Sequence, residues 1–115
     1  MNRNFRLTQS TDFKRVRRFG KSYAHPFVVL VVSPTNGERT RIAITSSQSV
    51  GNAVRRNRAK RLLREAIRPL LSRLKPGWNV ILISRKQILE TKLPEIQNSL
   101  QQLFSKANLI IEIDD

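Results

Sequence analysis

The chain has 115 residues and 13.3 kDa, with 22 Lys and Arg against 8 Asp and Glu and a formal net charge of +14. That length suits one domain, the absence of cysteine excludes disulfides and thiolate metal sites and fits a reducing compartment such as the cytoplasm, and no apolar stretch nears the roughly 20 residues of a membrane span. The positive charge is concentrated in residues 1–68, which carry +13 of the +14, a self-repulsion that a polyanion would relieve.

Residues 1–9 are polar and basic, with Phe5 and Leu7 as their apolar anchors, and read as an extended arm. Ser10 or Thr11 can cap a helix over about 11–19 in which Phe13 and Val16 lie one turn apart among Lys14, Arg15, Arg17 and Arg18, with Gly20 ending it. The run 27–32 (Phe-Val-Val-Leu-Val-Val) is β-branched and short, so it predicts a strand covered on both faces. Pro34-Thr35-Asn36-Gly37 has hairpin chemistry and leads into the alternating Arg41-Ile42-Ala43-Ile44-Thr45-Ser46, which predicts that these two strands pair antiparallel. Asn52 is placed to cap a long helix to about Leu71, with Leu62, Leu63, Ala66, Ile67 and Leu70 as its apolar stripe and Pro69 oddly inside its end. Lys75-Pro76-Gly77 predicts a turn, 78–83 a buried strand, and Pro94 the start of a last helix that buries Ile96, Leu100, Leu103 and Phe104. Residues 108–113 fit either an irregular tail or a short strand. The order of elements implies an α/β sandwich, with helices packed on one central sheet.

The densest feature is Arg55-Arg56-Asn57-Arg58-Ala59-Lys60-Arg61-Leu62-Leu63-Arg64-Glu65, continuing to Arg68, with seven basic side chains and one acidic one between 55 and 68. At helical spacing Asn57, Arg58, Lys60, Arg61, Arg64 and Arg68 lie opposite the apolar stripe. A merely solvated helix would offset such charges with acids one turn away. This one has few of them, and arginine suits bidentate contacts to phosphate while Asn57 can read a base edge or a sugar hydroxyl.

The stretch from Gly51 through Glu65 closely resembles the arginine-asparagine-arginine signature of the protein subunit of bacterial ribonuclease P. The resemblance runs from about Arg6 to Phe104, through the Asp12-Phe13 helix, the strand pair, the Ile81 to Lys86 strand end and Leu100-Gln-Gln-Leu-Phe104. A ribosomal protein or architectural DNA binder could share the composition, but has no reason to couple this signature to those other elements. The resemblance implies the family's α/β sandwich with a left-handed βαβ crossover, which periodicity alone would not suggest. It further implies that a catalytic RNA with Mg²⁺ cleaves the 5′ leader from precursor tRNA while one protein per RNA holds the leader and supports the RNA. Asn52, Arg56, Asn57, Arg58, Lys60, Arg61, Arg64 and Arg68 would then lie against the catalytic RNA. Phe13, Arg17 and Val31, with Arg85 and Lys86 beside them, would form the leader cleft.

Relatives often carry aromatic residues where this chain has Arg17 and Val31, and lysines where it has Gln48 and Ser49. The leader would therefore be held less by stacking and more by charge. Phe13 fits a core role and a base-stacking role alike, Phe5 and Phe19 stay open between the same two, and Tyr23 and Trp78 are assigned to packing. No protein active site is expected. Asp12, Glu38, Glu65 and Glu90 are scattered single acids, Glu112, Asp114 and Asp115 sit in the tail, and His25 has no second histidine for acid–base work.

Overall fold

The computed structural model describes residues 10–35 and 39–111. The expected arm with Phe5 and Leu7, the Asn36-Gly37 turn and the last four residues lie outside that set, as do the side chains of Ser10, Thr11 and Asp12. The elements in chain order are α1 (Ser10–Phe19), β1 (Lys21–Ala24), β2 (Val28–Pro34), β3 (Arg41–Ser46), α2 (Ala53–Ile67), β4 (Trp78–Ser84) and α3 (Leu93–Lys106). Short 3₁₀ segments at Gln48–Val50, Arg68–Arg73 and Lys86–Glu90 connect them.

The four strands form one mixed sheet in the order β1-β2-β4-β3. The expected antiparallel pairing of β2 with β3 is therefore incorrect: β4 lies between them, antiparallel to β2 and parallel to β3. The physical reason lies in the strand sequences. Val80, Ile81, Leu82 and Ile83 are all buried, and a strand apolar on both faces belongs in the middle of a sheet, where both backbone edges are also paired. The alternating β3, half-buried along most of its length, takes the edge. The β2–β3 connection must therefore span two strand spacings, roughly 10 Å, rather than close a tight hairpin. The strand missed by sequence reasoning, β1, has no apolar pattern to announce it, and it pairs with β2 through a turn closed by hydrogen bonds between His25 and Val28.

Strand alternation sends Val28, Leu30, Val32, Ile42, Val80 and Leu82 to one face of the sheet, where they meet Ala59, Leu63, Ala66 and Ile67 of α2 and Ile96, Leu100, Leu103 and Phe104 of α3. The other face gathers Val31, Ile81 and Ile83 around Val16 of α1, with Phe13, Val29 and Ala43 half-buried against them. The helix stripes are as expected, with Ala59 as an additional member and Leu62 only half-buried. Pro69 ends α2 at Ile67 because it has no N–H for the Glu65 carbonyl and its ring crowds that turn, so the chain continues as a 3₁₀ segment. Among the described residues after α3, Ile110 forms a bridge with Leu74, and Ile111 donates to the Arg73 carbonyl at 2.7 Å.

Gly20 ends α1, but not through a left-handed cap, since the glycines at positive φ among the described residues are Gly51 and Gly77. Its role is close approach: a Cβ there would come 2.4 Å from the Val16 carbonyl oxygen and 2.8 Å from both Val31 Cγ1 and the Val32 carbonyl oxygen. Two of those three atoms are backbone and cannot swing aside. Gly20→Ala is expected to cost about 1–3 kcal/mol in urea unfolding, the range for overpacking. An unchanged midpoint would show that α1 can lift from the sheet without penalty.

Candidate nucleic-acid interface

The approach to α2 is built by three consecutive devices. Gly51, at φ 126° and ψ −145°, turns the chain out of the Gln48–Val50 segment. The Asn52 Oδ1 then accepts from the Arg55 N–H at 3.0 Å and caps the helix as expected. Arg55 reaches back so that its Nε donates to the Val50 carbonyl at 2.9 Å, which explains its absence from the outward ridge.

Beyond this first turn, burial of Ala59, Leu63, Ala66 and Ile67 fixes the rotation of α2. Asn57, Arg58, Arg61 and Arg68 are left exposed, and Arg56, Lys60 and Arg64 half-buried on the shoulders. Arg68 lies just past the helix end, 3.7 Å from the carboxylate of Glu65, with both side chains about half exposed or more. Such a surface pair contributes little and offsets only one charge. A hollow of about 250 Å³ lies beside the ridge, lined by Arg56, Asn57 and Lys60 together with Thr45 and Ser46 at the end of β3. Sequence reasoning missed those two hydroxyls, because their place beside α2 depends on β3 being an edge strand.

The second basic surface lies on the α1 face of the sheet. A groove of about 570 Å³ is lined by Arg17, Ser22, Val29, Val31, Ser47, Ser49, Ile83 and Arg85. Three of the five expected cleft residues, Arg17, Val31 and Arg85, thus line one groove. Phe13 is half-buried in the adjoining cluster, and Lys86 is exposed next to Arg85 without lining the groove. The apolar floor was partly legible, since Val29 shares the Val31 face by alternation, but Ile83 joins it because β4 rather than β3 pairs with β2. Ser22 was not, because β1 was not foreseen. Arg85 is positioned by its N–H to the Phe27 carbonyl at 2.9 Å and its Nη1 to the His25 carbonyl at 3.3 Å.

His25 is occupied structurally. Its Nδ1 accepts from the Phe27 N–H at 3.2 Å, and its ring lies 5.0 Å from that of Phe27. Burial lowers its pKa below the ordinary value of 6.5, and the positive charge of Lys106 acts in the same direction. Among the described residues no three His, Asp or Glu side chains converge where they could hold a metal ion. No helix among them is long and apolar enough to cross a membrane.

The family model for ribonuclease P matches residues 1–108. The ribonuclease P protein component of Herpetosiphon aurantiacus is 40% identical over 109 residues, covering 95% of this chain and 89% of that one. The component from Dehalococcoides mccartyi is 34% identical over 110 residues, covering 96% and 90%. Among solved structures, the Staphylococcus aureus RNase P protein superposes with a TM-score of 0.79 at 29% identity, covering 92% of this chain and 97% of that one. The Thermotoga maritima RNase P protein gives 0.76 at 25% identity, covering 88% and 96%.

Two predictions follow from the local geometry. Asn52→Ala is expected to lose about 0.5–2 kcal/mol of stability while Asn52→Ser keeps it, because serine can also cap. Equal midpoints for all three proteins in urea would show that the cap is dispensable. His25 is the one histidine of the chain, so its ring-proton NMR titration is unambiguous, and its midpoint should fall below 6.5. With a folded-state pKa below the unfolded value, its contribution to stability is complete above about pH 6.5 and is lost as pH falls through the folded midpoint. A midpoint at or above 6.5 would contradict the burial and the Nδ1 acceptor role.

Proposed function

Since the chain belongs to the family of bacterial ribonuclease P protein components, we propose that it grips two RNAs through two separate surfaces. As an RNase P protein subunit it assists tRNA 5′ processing, within an endoribonuclease complex whose RNA is its partner. In the proposed division of labour, the α2 ridge of Arg56, Asn57, Arg58, Lys60, Arg61 and Arg64 lies against the catalytic RNA, with Asn52 and Arg68 at its ends. The groove on the α1 face takes the single-stranded leader of precursor tRNA. One protein serves one RNA, in the cytoplasm.

The observation that carries this reading is the segregation of the two surfaces. The ridge belongs to a helix whose apolar stripe seals the main core, while the groove opens on the opposite face of the same sheet. One protein can therefore hold both RNAs without either displacing the other. In the groove, Arg17 and Arg85 supply cations for leader phosphates, and Lys86 adds a third at the rim. Val29, Val31 and Ile83 offer an apolar floor to unpaired bases, and Ser22, Ser47 and Ser49 offer hydroxyls to phosphate or ribose oxygens. With aliphatic rather than aromatic residues on this floor, charge dominates the grip, since an aromatic platform would contribute roughly 1–3 kcal/mol per stacked base.

The phosphodiester chemistry belongs to the RNA in this reading, together with the Mg²⁺ it requires. The protein's described acids do not converge on a metal site, and no step is assigned to them. The protein contributes position and positive charge, so that a polyanionic substrate and a polyanionic catalyst can approach each other.

The test is single-turnover cleavage of precursor tRNA by the cognate RNA at limiting Mg²⁺, with and without the protein. Acceleration that requires the RNA is expected. Arg58→Ala with Arg61→Ala should weaken association with the catalytic RNA, and Arg85→Ala with Lys86→Ala should weaken only substrates that carry a leader. Each effect should be roughly tenfold or more, the scale of a lost hydrogen bond to a charged group. Equal losses on leader-bearing and leaderless substrates from both pairs would sink the two-surface arrangement, and cleavage by the protein alone would overturn the assignment of chemistry to the RNA.

A further inference from the structure

α1 has a flank that neither the core nor the groove uses. Val16 is buried and Phe13 half-buried against the sheet, and Arg17 lines the groove. Phe19 follows Arg17 by two residues, which at helical spacing puts it on the opposite flank, one turn beyond Arg15. Its ring is 75% exposed and belongs to neither core cluster. Of the large hydrophobic side chains exposed among the described residues, Phe19, Val54 and Ile111, it is the one aromatic. The ring is not bare: the Arg18 guanidinium carbon lies 5.2 Å from its centroid.

We propose that Phe19 and Arg18 form a stacking platform for an unpaired RNA base on the flank of α1 turned away from the groove. The inference rests on the RNA-binding reading above and extends it to a surface outside both the ridge and the groove. A single exposed apolar residue is ordinary on a protein surface. Two features distinguish this one. It is flat and aromatic, and it sits in a helix carrying Lys14, Arg15, Arg17 and Arg18, with Lys21 just beyond. A ligand that complements both features must combine dense negative charge with exposed flat faces, and single-stranded nucleic acid does so. Duplex RNA does not, because its bases are stacked on one another and unavailable. The guanidinium over the ring adds a second planar surface and a phosphate donor in the same place.

The experiment measures binding of the full chain to labelled oligoadenylate, oligouridylate and an RNA duplex by fluorescence anisotropy, for the wild type and for Phe19→Ala, Phe19→Leu and Phe19→Tyr. The expected result is that Ala and Leu weaken single-strand binding about five- to hundredfold, the size of one lost base–aromatic stack. Tyr should retain it, the loss should be greater for oligoadenylate, and duplex binding should stay unchanged. Thermal unfolding should be unaffected, since the ring is exposed. Single-strand binding by Phe19→Ala equal to wild type would overturn the platform, as would a Leu variant that binds as well as Tyr. The cleavage assay above separates the two proposals. Failure there with the Phe19 pattern intact would remove the ridge-and-groove assignment and leave the platform, whereas normal cleavage with no Phe19 effect would remove the platform alone.

Discussion

The whole molecule depends on β4 being buried from both sides. Val80 and Leu82 point into the core shared with α2 and α3, Ile81 and Ile83 into the smaller core under α1, and both edges of the strand are hydrogen-bonded to neighbours. A strand in that position ties the two helical layers together. It also sets where the candidate RNA-binding residues emerge. Ser84, fully buried, donates its hydroxyl to the Thr45 carbonyl at 3.4 Å, and the next residue is Arg85, delivered to the end of the groove. On the parallel neighbour β3, the chain leaves Ser46 through Ser47 and Ser49, which line the groove, and enters α2 at its Asn52 cap. The two basic surfaces therefore meet at the carboxyl ends of two adjacent strands, separated by the thickness of the sheet and joined by six residues, 47–52.

The charge distribution follows from the same construction. An apolar stripe is what makes α2 a core helix, so its cations are confined to the remaining surface and crowd together. The one ion pair found there, Arg68 with Glu65, sits at the end of the ridge and leaves Arg58, Lys60, Arg61 and Arg64 without a pairing acid on the helix. Folding concentrates the repulsion instead of dispersing it. An RNA that neutralises these charges releases its counterions as it binds, so the energetic cost of the ridge in the free protein becomes part of the affinity in the complex.

Features encoded locally were legible in the sequence. The α2 stripe, the Asn52 cap and the Pro94 start each depend on residues within one or two turns, whereas the end of α2 at Ile67 falls short of the expected Leu71 because Pro69 interrupts the helix. Strand neighbours were not legible in the same way. Asn36-Gly37 is a hairpin signal, yet β2 and β3 are separated because a later strand, delivered by α2, has the stronger claim on the centre of the sheet. The groove was half legible for the same reason. Arg17, Val31 and Arg85 could be assigned by resemblance, but Ser22 required β1, and Ser47 required knowing where the loop after β3 turns.

Glycine shows how far a local rule can be trusted. Gly20 and Gly51 both stand at the boundary of a helix, and a sequence rule treats them alike. In the structure they serve different needs: Gly51 supplies a positive φ at the entrance to α2, whereas Gly20 supplies the absence of a side chain where α1 descends onto β2. The second need is tertiary. It exists because α1 must lie close enough to the sheet for Val16 to be buried, and that same closeness sets the two flanks of the helix, with Arg17 turned to the groove and Phe19 turned to solvent. A contact made without a side chain thus determines what the side chains on either flank can reach.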